Sequence, residues 1–239
     1  MSETEELIKA REKKEKLEKN RFMQQTLPAW RPVPTLVSSL ITFLIFGIIF
    51  ITLGIILIEF SNDINDKVVR YDKVSDWSVG STCNLTITLS EKFEGPVYVY
   101  YELHNFFQNH RKYVRSRDFD QLRGEVKSVS ELDDWDPIKT MGDLGLDMSY
   151  GGTPLASNLP ANPCGLIAKS VFNDTYTFFD SLGNQIAIDE SNIAWDSDKD
   201  HKFKRPSNSA DIQWIDPKDE HFIVWMRTAG MPNFRKLWG

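Results

Sequence analysis

LVSSLITFLIFGIIFITLGIILI, Leu36–Ile58, is the stretch that decides the fold. Seventeen of its 23 residues are Leu, Ile, Val or Phe, and no charge falls between Arg31 and Glu59. At about 1.5 Å per residue, a helix of this length crosses a hydrocarbon layer of roughly 30 Å with some tilt. Each apolar residue contributes roughly −0.3 to −0.6 kcal/mol to insertion, which outweighs the Ser, Thr and Gly among them. A buried core helix of a soluble protein seldom stays uncharged over such a length. A cleavable signal would start earlier, be shorter and end in a small-x-small site. The run reads as a retained transmembrane helix within 33–58. Gly47 and Gly54 share a face with Ser39, which either admits a neighbouring helix or reflects how common Gly is in membrane spans.

The charges on either side orient it. Residues 1–31 hold eight cations, Lys9 to Arg31, whereas 59–73 hold Lys67, Arg70 and Lys73 among four acids. The positive-inside rule places a tail of 1–32 in the cytosol and 59–239 outside or in a lumen. Glu5/Lys9, Glu12/Lys16 and Glu15/Lys19 support a solvated helix in that tail. Pro28, Pro32 and Pro34 then prevent a regular helix, and Trp30 and Arg31 suit the headgroup level.

The whole chain has 28 Lys+Arg, 34 Asp+Glu and a net charge of −6, which argues against a nucleic-acid partner. Two cysteines exclude a four-thiolate zinc module. In 59–239, Leu85, Ile87 and Leu89 alternate with polar residues, and a turn signal at 94–96 leads into Val97–Tyr101, which reads as a hairpin. Tyr176–Phe179 and Ile186–Ile188 flank a turn at Ser181–Asn184. Phe222–Met226 reads as a late strand, and 124–163, rich in Gly, Pro, Asp and Ser, as long loop. The fold class expected is a membrane-anchored, mostly β protein. Its ectodomain would be an antiparallel β-sandwich-like domain with long loops and short helices.

Asn84-Leu85-Thr86 and Asn173-Asp174-Thr175 are sequons, meaningful in a lumen. Catalytic signatures are absent: the four histidines make no H-E-x-x-H, and there is no nucleophile elbow or phosphate-binding loop. Asp196-Ser197-Asp198 alternates like a calcium loop, but His201 and Ser207 stand where Gly and a bidentate Glu are needed. The same Asp196 and Asp198 could serve a luminal glycosyltransferase, the alternative function; an ordinary solvated loop is the simpler reading. No metal or cofactor is expected. His104–Asp118 concentrates aromatics, amides and cations in an acidic domain. It reads as a surface segment paired with local acids, or as a polar surface for a partner or anionic lipid headgroups.

Five blocks together resemble the cell division control protein 50 family, also called transmembrane protein 30. They are Phe22–Pro32, Tyr100–Asp118, Pro163–Thr175, Ile193–Phe203 and Glu220–Leu237, in family order. The resemblance implies an accessory β-subunit of a type IV P-type ATPase, the lipid-flipping α-subunit that carries out ATP chemistry. It implies no active site in this chain, contact with membrane lipids, and a role in the pump's folding, exit from the endoplasmic reticulum and transport. Residence in endoplasmic reticulum, Golgi, endosomal or plasma membranes follows. The blocks make Trp30, Asn105, Phe106, Gln108, Asn109, His110, Arg111, Arg115, Arg117, Trp225 and Arg227 candidate partner-binding residues. The resemblance also implies a second span beyond Gly239. It aligns Cys83 and Cys164 with members of two different disulfides, so the two either pair with each other or stay free.

Overall fold

The computed structural model describes residues 2–28, 33–73, 78, 80–90, 92, 93, 95–135 and 137–239. The chain divides into two compact units, residues 1–92 and 93–239. Each is taken on its own.

In the first unit, α1 (Ser2–Lys19) is solvated along its described side chains, and Lys19 pairs with Glu15 at 2.6 Å. The apolar run forms α2 (Leu36–Asn62), with no buried residue. Thr35 and Ser38 close its first turn as a capping box, satisfying donors that the helix cannot satisfy itself. It is the one helix among the described residues long and apolar enough to cross a membrane. Trp30 and Arg31 lie outside the described residues.

The second unit starts and finishes on one ribbon. β1 (Tyr100–Leu103) pairs antiparallel with β4 (Phe234–Leu237), Tyr100 opposite Leu237. Val99 extends the ladder, donating to the Gly239 carbonyl at 2.7 Å and accepting from Trp238 N–H at 2.7 Å. This overturns the expected hairpin: Val97–Tyr101 supplies part of β1, but the residues β1 pairs with lie 131 to 137 positions on, and 85–89 forms no strand. β2 (Phe178–Phe179) and β3 (Gln185–Ile186) form a second ribbon across the expected turn. Asp180 closes it, accepting from Leu182 and Asn184 N–H groups at 2.8 Å. Two separate two-stranded ribbons are not a sandwich, and short helices outnumber strands among the described residues.

Those helices are α3 (Arg111–Arg115), α4 (Phe119–Leu122), α5 (Met141–Leu144), α6 (Leu166–Lys169), α7 (Asp196–His201), α8 (Ser209–Ile212) and α9 (Glu220–Met226). α9 corrects the late strand. Asp219 caps it by accepting from His221 N–H at 2.8 Å, and Phe222, Ile223, Trp225 and Met226 all turn inward. They lead the main core, joined by Ile167, Phe203 and an aromatic group in which Tyr101 stacks on Phe172 at 3.9 Å and meets Trp238 edge-on.

The expected loop 124–163 builds a second core. Leu132, Ile138, Met141, Leu144, Leu155 and Ala161 pack there with Cys164. A 3-10 helix (Val129–Trp135) and α5, whose Thr140 and Asp143 form a capping box, supply the regular structure. Buried Gln121 ties α4 to this core: its Nε2 donates to Ala161 O and its Oε1 accepts from Cys164 N–H, both at 2.9 Å. A buried amide with both ends satisfied specifies register as well as contributing stability.

Candidate functional site

The chain from Asn105 to Asn109 lies along the loop before β4. Asn105 N–H donates to Asn233 Oδ1 at 2.9 Å, Phe106 N–H to Pro232 O at 2.9 Å, and Asn109 Nδ2 to Gly230 O at 2.9 Å. Gln108 Oε1 accepts from Ala229 N–H at 2.8 Å. Asn105 sits at φ 58°, a left-handed conformation that Asn tolerates better than most residues. His110 caps α3, its Nδ1 accepting from Lys112 N–H at 3.3 Å. This capping gives α3 two sides. Tyr113 faces inward, bonding Ser170 Oγ at 2.7 Å and meeting Phe106 edge-on. Arg111, Lys112 and Arg115 face solvent, and no ion pair reaches them among the described residues.

The candidate partner residues therefore divide. Asn105, Asn109, His110, Arg111 and Arg115 are at the surface. Gln108 (0% exposed) and Trp225 (1%) are closed off in the interior. Trp225 Nε1 donates to Ile167 O at 2.7 Å, which fixes that ring within the interior. Phe106 packs edge-on against Trp225 and Phe234 and belongs with them.

Arg117 and Arg227 meet in a cleft of about 330 Å3 with Phe119, Asp198, Lys202 and Met226 on its walls. Arg117 donates Nη1 to Met226 O at 2.9 Å and lies over the Phe119 ring at 4.6 Å. Its burial lowers the guanidinium pKa. Arg227 lies over the Trp195 ring at 5.0 Å and donates Nε to Asp198 Oδ2. Lys202 Nζ reaches Asp198 Oδ1 at 2.7 Å. Burial works to raise the Asp198 pKa, but the bonds from Arg227 and Lys202 prevail and hold it below the ordinary carboxylate value. The metal reading of Asp196 and Asp198 fails on this geometry. Asp198 is spent on two cations, while Asp196 is exposed and pairs with Lys199 at 3.1 Å. No metal-ligating cluster forms among the described residues.

Asn84 and Asn173 are both exposed. Cys83 is half-buried and Cys164 buried, and both are free thiols. Burial pushes the Cys164 thiol up to about 12.

Sequence reasoning missed Lys236. The residue is 7% exposed, and its ammonium donates to three carbonyls at the end of α9: Val224 (2.7 Å), Trp225 (2.9 Å) and Arg227 (2.5 Å). It substitutes for the water that normally serves a helix C-terminus. The alternation Arg235-Lys236-Leu237 in a strand offered one signal, since it points Lys236 to the face opposite Arg235.

The sequence profile of the LEM3 (ligand-effect modulator 3) family / CDC50 family matches residues 57–239. "ALA-interacting subunit 3" of Arabidopsis thaliana is 37% identical over 257 residues, covering 96% of this chain and 68% of that one. "Cell cycle control protein 50A" of Bos taurus is 35% identical over 258 residues, covering 91% and 67%. "Cell cycle control protein 50B" of Homo sapiens is 32% identical over 264 residues, covering 91% and 71%.

Proposed function

Because the chain belongs to the LEM3/CDC50 family, we propose that it is a non-catalytic accessory subunit of a phospholipid-translocating P-type ATPase. With that family, the apolar helix α2 makes it a membrane protein. The observation that carries the subunit reading is the match over 57–239 together with relatives whose names describe interacting subunits. In this reading the ATPase supplies the chemistry. Residues 1–32 lie in the cytosol, 33–58 span the membrane, and 59–239 face outward with glycans on Asn84 and Asn173. The chain supports the pump's folding, its exit from the endoplasmic reticulum and its delivery of lipid to the cytosolic leaflet.

The test is affinity purification of the tagged chain from native membranes in mild detergent, followed by mass spectrometry. A large P-type ATPase is expected to co-purify, and deletion of the gene is expected to hold that ATPase in the endoplasmic reticulum. Recovery of the chain alone, with aminophospholipid uptake unchanged in the deletion strain, overturns the reading.

The exposed face of α3 is the surface we assign to that partner. Rim charges that have no partner of their own act mainly on association rate and salt dependence. Arg111→Gln with Arg115→Gln is expected to lower ATPase recovery by about threefold or more, with little change in melting temperature, since neither side chain holds the fold. Equal recovery at equal protein level removes α3 from the interface.

A further inference from the structure

The cleft lined by α4, α7 and the end of α9 has more donors than its own residues use. Arg227 gives Nε to Asp198 and Arg117 gives Nη1 to Met226 O; no other bond from either guanidinium forms among the described residues. The Nε of Arg117 is buried without an acceptor. Each guanidinium carries five N–H donors in a planar fork. Phe119 and Trp195 are exposed rings that hold the two planes from beneath. Lys202 stands at the rim with its side chain 59% exposed. Three cations against Asp198 leave the cleft with two uncompensated positive charges.

We propose that this cleft binds a phosphomonoester, its phosphate seated between the Arg117 and Arg227 forks with Lys202 above. The match is one of charge. A phosphomonoester carries about −1.5 to −2 at pH 7, whereas a single carboxylate would leave one cation unmet. It is also one of shape, since guanidinium forks suit phosphate oxygens two at a time. The volume of about 330 Å3 leaves room for a small organic body against Phe119 and Met226. A soluble phosphate ester and the headgroup of a phosphatidic-acid-like lipid share this chemistry. The proposal stands apart from the subunit reading and is tested without a pump.

The full chain, purified in a maltoside detergent free of phosphate, is titrated calorimetrically with inorganic phosphate, glycerol 3-phosphate and dihexanoyl phosphatidic acid. Saturable one-to-one binding of the phosphomonoesters is expected. Tighter binding of the lipid identifies a headgroup as the source, and equal or weaker binding a soluble ester. Arg117→Lys, which keeps the charge and loses the fork, is expected to weaken binding at least tenfold. Lys202→Gln, which also takes one cation from buried Asp198, is expected to weaken binding severalfold while the chain still folds. Arg205→Gln, which removes a cation outside the cleft, is expected to leave binding unchanged. No saturable binding, equal binding by Arg117→Lys, or tighter binding of a pentaglutamate peptide than of any phosphate overturns the proposal. The last outcome makes the cleft a carboxylate site.

Discussion

Gly165→Ala is expected to destabilise the unit 93–239 by about 3 kcal/mol or more, enough to deplete the protein in cells. Gly165 starts α6 at φ 97° and ψ 165°, a region open essentially to glycine alone. A Cβ built there would lie 2.0 Å from the Ser116 carbonyl oxygen and 2.5 Å from its carbon. Neither is the end of a flexible side chain; both are backbone. That backbone is held in turn, because Ser116 Oγ accepts from Leu166 N–H at 2.9 Å and Gly165 N–H donates to Ile138 O at 3.0 Å. The clash therefore cannot be relieved without separating α3 from α6. Gly183→Ala is the control. Gly183 also has positive φ, 84°, but nothing lies within 4 Å of its added Cβ, so only about 1–2 kcal/mol of conformational strain is expected. Chemical denaturation followed by tryptophan fluorescence measures both. Equal losses for the two variants would mean that the approach of residues 116 and 165 contributes nothing.

Lys236→Met carries the second large effect. Methionine fills nearly the same space, so the loss is one of donors. Three carbonyls ending α9 lose their ammonium, and leaving buried acceptors unmet costs about 1–3 kcal/mol each. Partial hydration of the opened end reduces the sum, so about 3 kcal/mol is expected. The same lysine sets a pH dependence. Burial, and secondarily the Arg227 charge, push its pKa down to about 7 from the usual 10.5. Below about 7 the folded and unfolded chains both hold the proton, and the burial cost is constant. Between about 7 and 10.5 the unfolded chain binds a proton that the folded chain lacks, so stability rises with pH across that window. Denaturation midpoints taken from pH 6.5 to pH 9.5 are expected to climb in the native chain. The slope is expected to be shallower in Lys236→Met, and identical slopes would show that the ammonium does not titrate there.

What the sequence discloses is set by the range of the interaction. The apolar run of α2, the turn between β2 and β3 and the helical tail of α1 all rest on neighbours within a few residues, and each is found where that local pattern puts it. Phe222–Met226 reads as a strand in the sequence because a short, continuous apolar run carries no period of its own. The deciding signal was the capping Asp219 just before it. The second core escaped because Leu132, Met141 and Leu155 are spaced irregularly among turn residues and meet only after the chain has folded back. The cleft escaped for a different reason. Asp198 and Lys202 stand four apart and could be paired by inspection, but Arg227 arrives 29 residues later and Arg117 belongs to another block. The acid that resembled a metal ligand is the counter-ion of two cations, and spacing alone does not distinguish those roles.

The ladder between β1 and β4 also decides how the unit bears load. Its two strands enter and leave side by side, with Val99 bonded to Gly239 at the open end. Tension applied at those two points pulls across the rungs and opens them singly, like a zip, instead of shearing the row at once. Under tension between residues 99 and 239 this unit would yield first at the Val99–Gly239 seam. The cores around Trp225 and Met141 would still be intact at that moment.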